Sequence, residues 1–437
     1  MGIDQRSPRV WTMLPLLAAL MACSGTCSET TQRPTSKPAA EMELSNISTT
    51  PQPKPKPARP AIIDAHTHLG HRAYAIALKL ADENGIARMV NLSGGFQGRG
   101  MKYHVAALEK YKGRLAVFYN LSWNHVNAED FGPVSAAGLE EAVKAGYAGL
   151  KIPKVLGLGV TNPDGTYIAV DDPRFDPIWA KAGELGVPVS IHTSDPKAFF
   201  EPVTPDNERY EELSEAPSWS FADPKYPRRD ELLAQRDRMV ARHPKTTFIL
   251  VHFANNPEDI DYVDRLLDTY PNAYVDLSAR LAEIGRHDPD KVRALFIKHQ
   301  KRILFGSDIG VRTRRHEGEY YLSLFLGSIS KEPPTLADAH VFFDRHWDFF
   351  ERDHREAGDL PHPVPIQGNW TIKPIALSGD VLQAIYHDNA YRLIFAPMYK
   401  RLGIADPGVQ PMPPSDENAP SPSDSNATPS LPPSDHP

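Results

Sequence analysis

Eight short apolar runs, each followed by a stretch of helical periodicity, govern what this chain can fold into. The runs cover residues 62–69, 87–93, 115–121, 149–152, 188–192, 247–252, 273–277 and 302–305. Apolar, β-branched runs of this length read as buried strands. Between them, residues 74–84, 103–111, 136–145, 177–185, 230–243, 257–269 and 290–299 space their apolar side chains as helices do. Strands alternating with helices predict a parallel sheet of the α/β class, and eight such units predict a closed (β/α)8 TIM barrel. A doubly wound open sheet is the competing fold, but no dinucleotide fingerprint accompanies it. Gly94-Gly95 and Gly98-Arg99-Gly100 match no phosphate-loop pattern and read as a plain strand-to-helix connection. Residues 317–402 are predicted to be largely helical, giving a last outer helix and a C-terminal helical extension.

The ends of the chain have a different composition. Arg6 and Arg9 precede an apolar run, 11–22, that is too short to span a bilayer and has the form of a secretory signal. Leu20-Met21-Ala22-Cys23 resembles a bacterial lipobox, in which Cys23 would be lipidated. Met21 is unusual there, and an ordinary signal peptide cut nearby is the alternative. The expected division is a lipoprotein signal over 1–22, a Pro/Ser/Thr-rich disordered tether over 23–60, the barrel over 61–402 and a disordered tail over 403–437. An extended tether would reach up to roughly 100 Å. The expected location is the bacterial cell envelope, on the periplasmic side. Ser24 in place of the aspartate that retains many lipoproteins points to the outer membrane.

Cys23 and Cys27 are the only cysteines, so the barrel needs no disulfide and holds no metal through thiolates. The net charge is −7 and no long basic run occurs, which excludes nucleic acid as a partner. A small molecule is the expected substrate, and a second copy of the chain in a homodimer is the one protein partner considered.

The chemistry gathers at the strand ends. His66 and His68 lie two apart on the first strand and point the same way, as does Asp64. Two such imidazoles can hold a divalent transition metal at roughly 2.0–2.1 Å. His192 ends the fifth strand, His252 ends the sixth, and Asp308 follows the eighth. Each histidine alone reads equally well as a satisfied core residue. In a barrel, however, all strand C-termini meet at one face, so the five would converge. Lys151 ends the fourth strand and is read as a partner for a substrate carboxylate or as a structural lysine. Arg280 and the stretch Arg312-Thr313-Arg314-Arg315-His316 fall on the same face, as anion binders or as solvated loop charges. The long connection 196–228, with Glu201 and Trp219, has the length of a segment that covers a site.

The motifs Asp64-Ala65-His66-Thr67-His68, Leu250-Val251-His252 and Leu304-Phe305-Gly306-Ser307-Asp308 resemble the amidohydrolase superfamily. Together with 186–192 and the closing stretch 386–393, they resemble its branch related to aminocarboxymuconate semialdehyde decarboxylase. The resemblance implies one divalent metal, zinc first and manganese or cobalt as alternatives, held by His66, His68, His192 and Asp308. It places His252 beside the activated water, and by likeness to two-metal members it would make Lys151 a carbamylated bridge between metals; Asp308 and His252 are the expected catalytic pair. The expected activity is metal-dependent hydrolysis of an amide, ester or lactone bond in a small molecule. The alternatives are non-oxidative decarboxylation of an aromatic or unsaturated acid, and a barrel that only binds ligand. The last would be favoured by a missing member of the five, and none is missing.

Overall fold

A computed structural model of the protein describes residues 59–408 apart from Asn369, with Pro365 described by its backbone alone. The signal, most of the tether, Cys23 and the tail after residue 408 lie outside the described residues. Eight strands follow in order, β1 Ile62–Leu69, β2 Ile86–Asn91, β3 Leu115–Asn120, β4 Gly149–Ile152, β5 Val189–Ile191, β6 Phe248–Leu250, β7 Ala273–Asp276 and β8 Ile303–Leu304. Each pairs in parallel with the next. The sheet then closes, because the Ala65 amide donates to the Phe305 carbonyl at 3.0 Å and the Asp308 amide to the His66 carbonyl at 2.9 Å. This is the expected (β/α)8 barrel.

Two apolar layers hold it. Outside, buried residues such as Leu150, Val189, Phe248 and Val275 pack against helices through Trp179, Met239 and Phe296. Inside, Ile63, Val90, Ala116 and Ile249 meet Ile394, Phe395 and Met398 of the last helical segment, which plugs the barrel's lower end. That segment, residues 379–402, bends through two π-helical turns, Ala384–Asp388 and Tyr391–Phe395.

The stretch after β8 departs from the expectation of loop and helix. Two further strands, β9 Ile309–His316 and β10 Glu319–Leu326, form an antiparallel hairpin. β9 continues the line of β8 and pairs in parallel with the outer end of β1, Thr67–Leu69. Its sequence explains this. Tyr320, Leu322, Leu324 and Leu326 alternate with period two, and Leu324 and Leu326 are buried. The helical reading holds further on, over Leu336–Glu351, which a Thr335/Asp338 capping box starts.

Both ends of the described chain sit where the strands begin. Arg59 pairs with Glu351 and lies 5.2 Å over the Trp347 ring. Buried Arg88 bonds Asp406 at 3.0 Å and stacks against Tyr391 and Phe395.

Candidate metal centre at the barrel mouth

The mouth is assembled from the C-terminal ends of the strands. On β1, Asp64 does not join His66 and His68 at the centre. Fully buried, it accepts hydrogen bonds from the His66 and Ser307 amides at 3.1 and 3.0 Å and from the Ser307 hydroxyl at 2.5 Å. Burial pushes its pKa up to about 7. Its role is to fix the turn Gly306-Ser307-Asp308. Only glycine fits at 306, since a Cβ there would lie 2.8 Å from that of His66. Asp308 then adopts a left-handed backbone, φ 64°, which brings its carboxylate to the histidines. Its Oδ1 lies 3.4 Å from His66 Nε2 and 3.3 Å from His68 Nε2.

Hydrogen bonds fix which nitrogen of each ring is free. His66 Nδ1–H donates to Asp276 Oδ2 at 2.8 Å, with the Ser278 hydroxyl oxygen also at 2.8 Å. Its Nε2 is buried and has no hydrogen-bond partner among the described residues. His68 Nδ1 meets Ser93 Oγ at 2.7 Å. One ligand atom each from His66, His68 and Asp308 lies within 4.8 Å of the others. A lone pair aimed into a buried space, beside a second imidazole and a carboxylate, fits a divalent cation. Asp276, which also groups with His66 and His252, is instead the outer partner that orients His66.

His252 occupies an unusual turn. His252, Phe253, Ala254 and Asn255 all have left-handed φ between 50° and 56°. Such a backbone costs about 1–2 kcal/mol for each residue other than glycine or asparagine. Asp276 Oδ1 offsets part of it by accepting the His252 amide at 2.9 Å, while Asn255 bonds the Thr193 amide and the Ser194 carbonyl. The His252 Nδ1–H donates to the Ser278 carbonyl at 2.8 Å. Burial holds its pKa well below the usual histidine range, so the ring is neutral with Nε2 as an acceptor.

His192 stands one ring further away. Its centroid is 4.4 Å from that of His252, and its Nε2 lies 3.3 Å from Asp195 Oδ1. Asp195 is buried and also receives Lys154 at 2.7 Å, with Arg280 at 3.7 Å. Burial raises the Asp195 pKa, but Lys154, His192 and Arg280 outweigh it and hold the carboxyl well below its ordinary range. Asp308 is held down against burial in the same way, by His66, His68 and Lys151. Burial lowers the His68 and His192 pKa values to about 4. Lys151 lies among these groups with its Nζ buried and unpartnered among the described residues, and burial brings its pKa down to about 8.

The structure therefore brings His66, His68, Asp308, His252, His192, Lys151 and Arg280 to one face. Arg312 is half-buried close above them on β9. Trp219 approaches the mouth only through Lys154, the Asp195 partner, whose ammonium lies 5.4 Å from the Trp219 ring centroid. Glu201 does not belong there. It lines a separate cavity of about 700 Å³ with Lys197, Arg229 and Tyr262, to which no site histidine contributes. Sequence reasoning missed Asp276, Asp195, Ser278 and Ser93. Asp276 is the last residue of β7 and Ser278 stands two residues on, and that place at a strand end was the available signal.

A closed barrel with a His/Asp cluster at its C-terminal mouth defines a metal-competent TIM-barrel protein. The amidohydrolase family model matches residues 63–395, and the chain belongs to that family. No curated protein matches the chain. Among solved structures it is similar to 2,6-dihydroxybenzoate decarboxylase from Rhizobium, at 14% identity over 76% of this chain and 98% of that one, TM-score 0.43. An uncharacterized TIM-barrel protein from Bordetella bronchiseptica shows 17% identity over 77% and 99%, TM-score 0.45. A probable 2-pyrone-4,6-dicarboxylic acid hydrolase from Acinetobacter baumannii shows 15% over 56% and 83%, TM-score 0.35.

Proposed function

We propose that the mouth is a mononuclear metal centre that hydrolyses an amide, ester or lactone bond in a small molecule. The observation that carries this reading is His66 Nε2, buried without a hydrogen-bond partner among the described residues and set 3.4 Å from the Asp308 carboxylate, beside His68. His66, His68 and Asp308 would hold the cation, with His192 as the fourth protein ligand. Three neutral imidazoles and a carboxylate suit zinc best, with manganese or cobalt as alternatives. When bound, such a metal supplies Lewis acidity that brings a water's pKa from 15.7 toward roughly 7. Asp308, ionised at neutral pH, accepts the proton of the attacking water and returns it to the leaving group. His252 presents Nε2 as an acceptor and orients that water.

A second reading, decarboxylation, is favoured by Lys151 Nζ and Arg280 Nε, both buried and unpartnered among the described residues. Buried cationic groups with a donor atom left over suit a substrate carboxylate held inside the barrel. Here Asp308 would shuttle a proton from solvent water to the carbon that loses carbon dioxide and return to its ionised form. The test is turnover of ester, lactone, amide and aromatic-acid panels in ¹⁸O-water by the metal-loaded enzyme. One solvent oxygen in the product supports hydrolysis, and release of carbon dioxide with solvent hydrogen on carbon supports the second reading. We further propose that Cys23 carries a lipid anchor in the cell envelope, as its sequence context suggests.

A further inference from the structure

The β9–β10 hairpin follows the eighth barrel strand, and its register fixes which way it faces. Gly310 pairs in parallel with His68, and partners in a parallel ladder share a face. Arg312 and Arg314, two and four residues on, therefore lie on the face of the sheet that carries His68. Val311 lies on the other face and is buried, as is its cross-strand partner Leu324. Across the hairpin, Ser323 pairs with Arg312 and Tyr321 with Arg314. The result is a wall of arginine, serine and tyrosine rising from the metal-competent histidines.

Neither guanidinium is paired with a carboxylate of the described residues. Among the described residues no hydrogen bond or ion pair reaches Arg312 or Arg314. Arg312 is half-buried and feels Arg314 as a like-charged neighbour, with Asp308 the one carboxylate acting on it. Two adjacent cations without an acid between them, one of them partly desolvated, form an anion site that no described residue fills. At about 3.3 Å per residue, Arg312 and Arg314 stand roughly 7 and 13 Å along the strand from the level of His68.

We propose that this wall binds a second anionic group of the substrate, a carboxylate or phosphate carried roughly 7–13 Å from the reacting bond. The inference rests on the reading of the mouth as the reaction centre, and it narrows the substrate to an elongated molecule with an anionic far end. Arg312 and Arg314 are then specificity residues for that end.

The test uses the metal-loaded protein and a ladder of α,ω-dicarboxylates from adipate to dodecanedioate. Monocarboxylates of equal length and ω-phosphono acids serve as parallel arms, and binding is read by calorimetry. Dicarboxylates of matching length are expected to bind about tenfold or more tighter than their monocarboxylates. Arg312→Gln and Arg314→Gln should each reduce that ratio, and the double variant should bring it near one. Metal content and monocarboxylate affinity should stay unchanged. Arg312→Lys should keep part of the preference, which a purely structural role would not produce. A tighter phosphono arm would identify the far group as phosphate. Arg314 is exposed, so Arg314→Gln tests the wall even if Arg312 variants fold poorly. Equal affinity of mono- and diacids, a preference that survives the double variant, or no binding of any acid would overturn the inference. If metal and monoacids still bind, the hydrolase reading survives that failure; loss of both would count against the metal centre itself.

Discussion

Asp276→Asn is the substitution whose consequence follows most directly from the geometry. The Asp276 carboxylate receives His66 Nδ1–H at 2.8 Å on one oxygen. On the other it takes the Ser278 hydroxyl at 2.6 Å and the His252 amide at 2.9 Å. Asparagine keeps one oxygen only. If its NH2 group faces His66, two donors meet and the imidazole must move its proton to Nε2, which removes the lone pair proposed to bind metal. If its NH2 group faces the other way, it meets the His252 amide and the Ser278 hydroxyl, and the left-handed turn loses its anchor. Losing an outer-sphere carboxylate costs about 10–100-fold in metal affinity. A buried donor left unmatched adds about 1–3 kcal/mol. The dissociation constant should therefore rise by about 10²–10³. Competition with a chromophoric chelator, on apo-protein loaded stepwise with zinc, measures it. A folded variant whose affinity stays within about threefold of the parent would refute the claim that Asp276 sets the His66 tautomer.

Other outcomes follow from the same structure. His252→Asn should keep the metal and lose about 10²–10⁴ in kcat, whereas His192→Asn should lose metal; equal metal loss in both, by elemental analysis, would make His252 a ligand. Gly306→Ala forces its methyl against His66, so a fall in thermal stability of about 1–3 kcal/mol together with weaker metal binding is expected from melting curves and chelator titration. Buried His346 has its pKa lowered by burial from 6.5 to about 4. The unfolded chain therefore binds the extra proton first, and stability falls as pH drops from about 6.5 to about 4, by up to about 3 kcal/mol. Denaturant titrations of His346→Gln should show a flatter slope over that window, and an unchanged slope would exclude His346 as a cause. Cys23→Ser should block processing and release the protein from membranes, and a wild-type protein found wholly in the soluble periplasmic fraction would argue against the anchor.

The barrel was legible because its eight strands are apolar runs with few competitors, and the helices between them carry the helical period. His66, His68, His192, His252 and Asp308 were legible because they interrupt or end those runs. Sequence periodicity put Asp64 on the face of His66 and His68, but the β1–β2 register shifts between Asp64 and Thr67, and Asp64 turns onto Ser307 and away from the centre. Periodicity gives a direction but not the partner that captures a side chain. The hairpin was misread because Arg312 to His316 look like solvated loop residues, and the period-two signal lies mainly in the following strand. Left-handed backbone at Ser194, His252, Ala279 and Asp308 carries no mark in residue type, since none of these is glycine. Asp195 and Asp276 were passed over for a related reason. An acidic residue near a strand end looks ordinary until the tertiary fold brings a lysine or an imidazole to it.

Arg59 and Asp406 both bind at the end of the barrel where the strands begin, so the polypeptide is gripped at one pole and the chemistry is exposed at the other. Any attachment made through residues before 59 or after 408, whether a lipid, a fused partner or a resin, pulls on the closed pole. A molecule held this way keeps its mouth at the pole away from both points of attachment, open to substrate in the surrounding fluid. The same polarity makes either terminus suitable for immobilising the enzyme with its working face free.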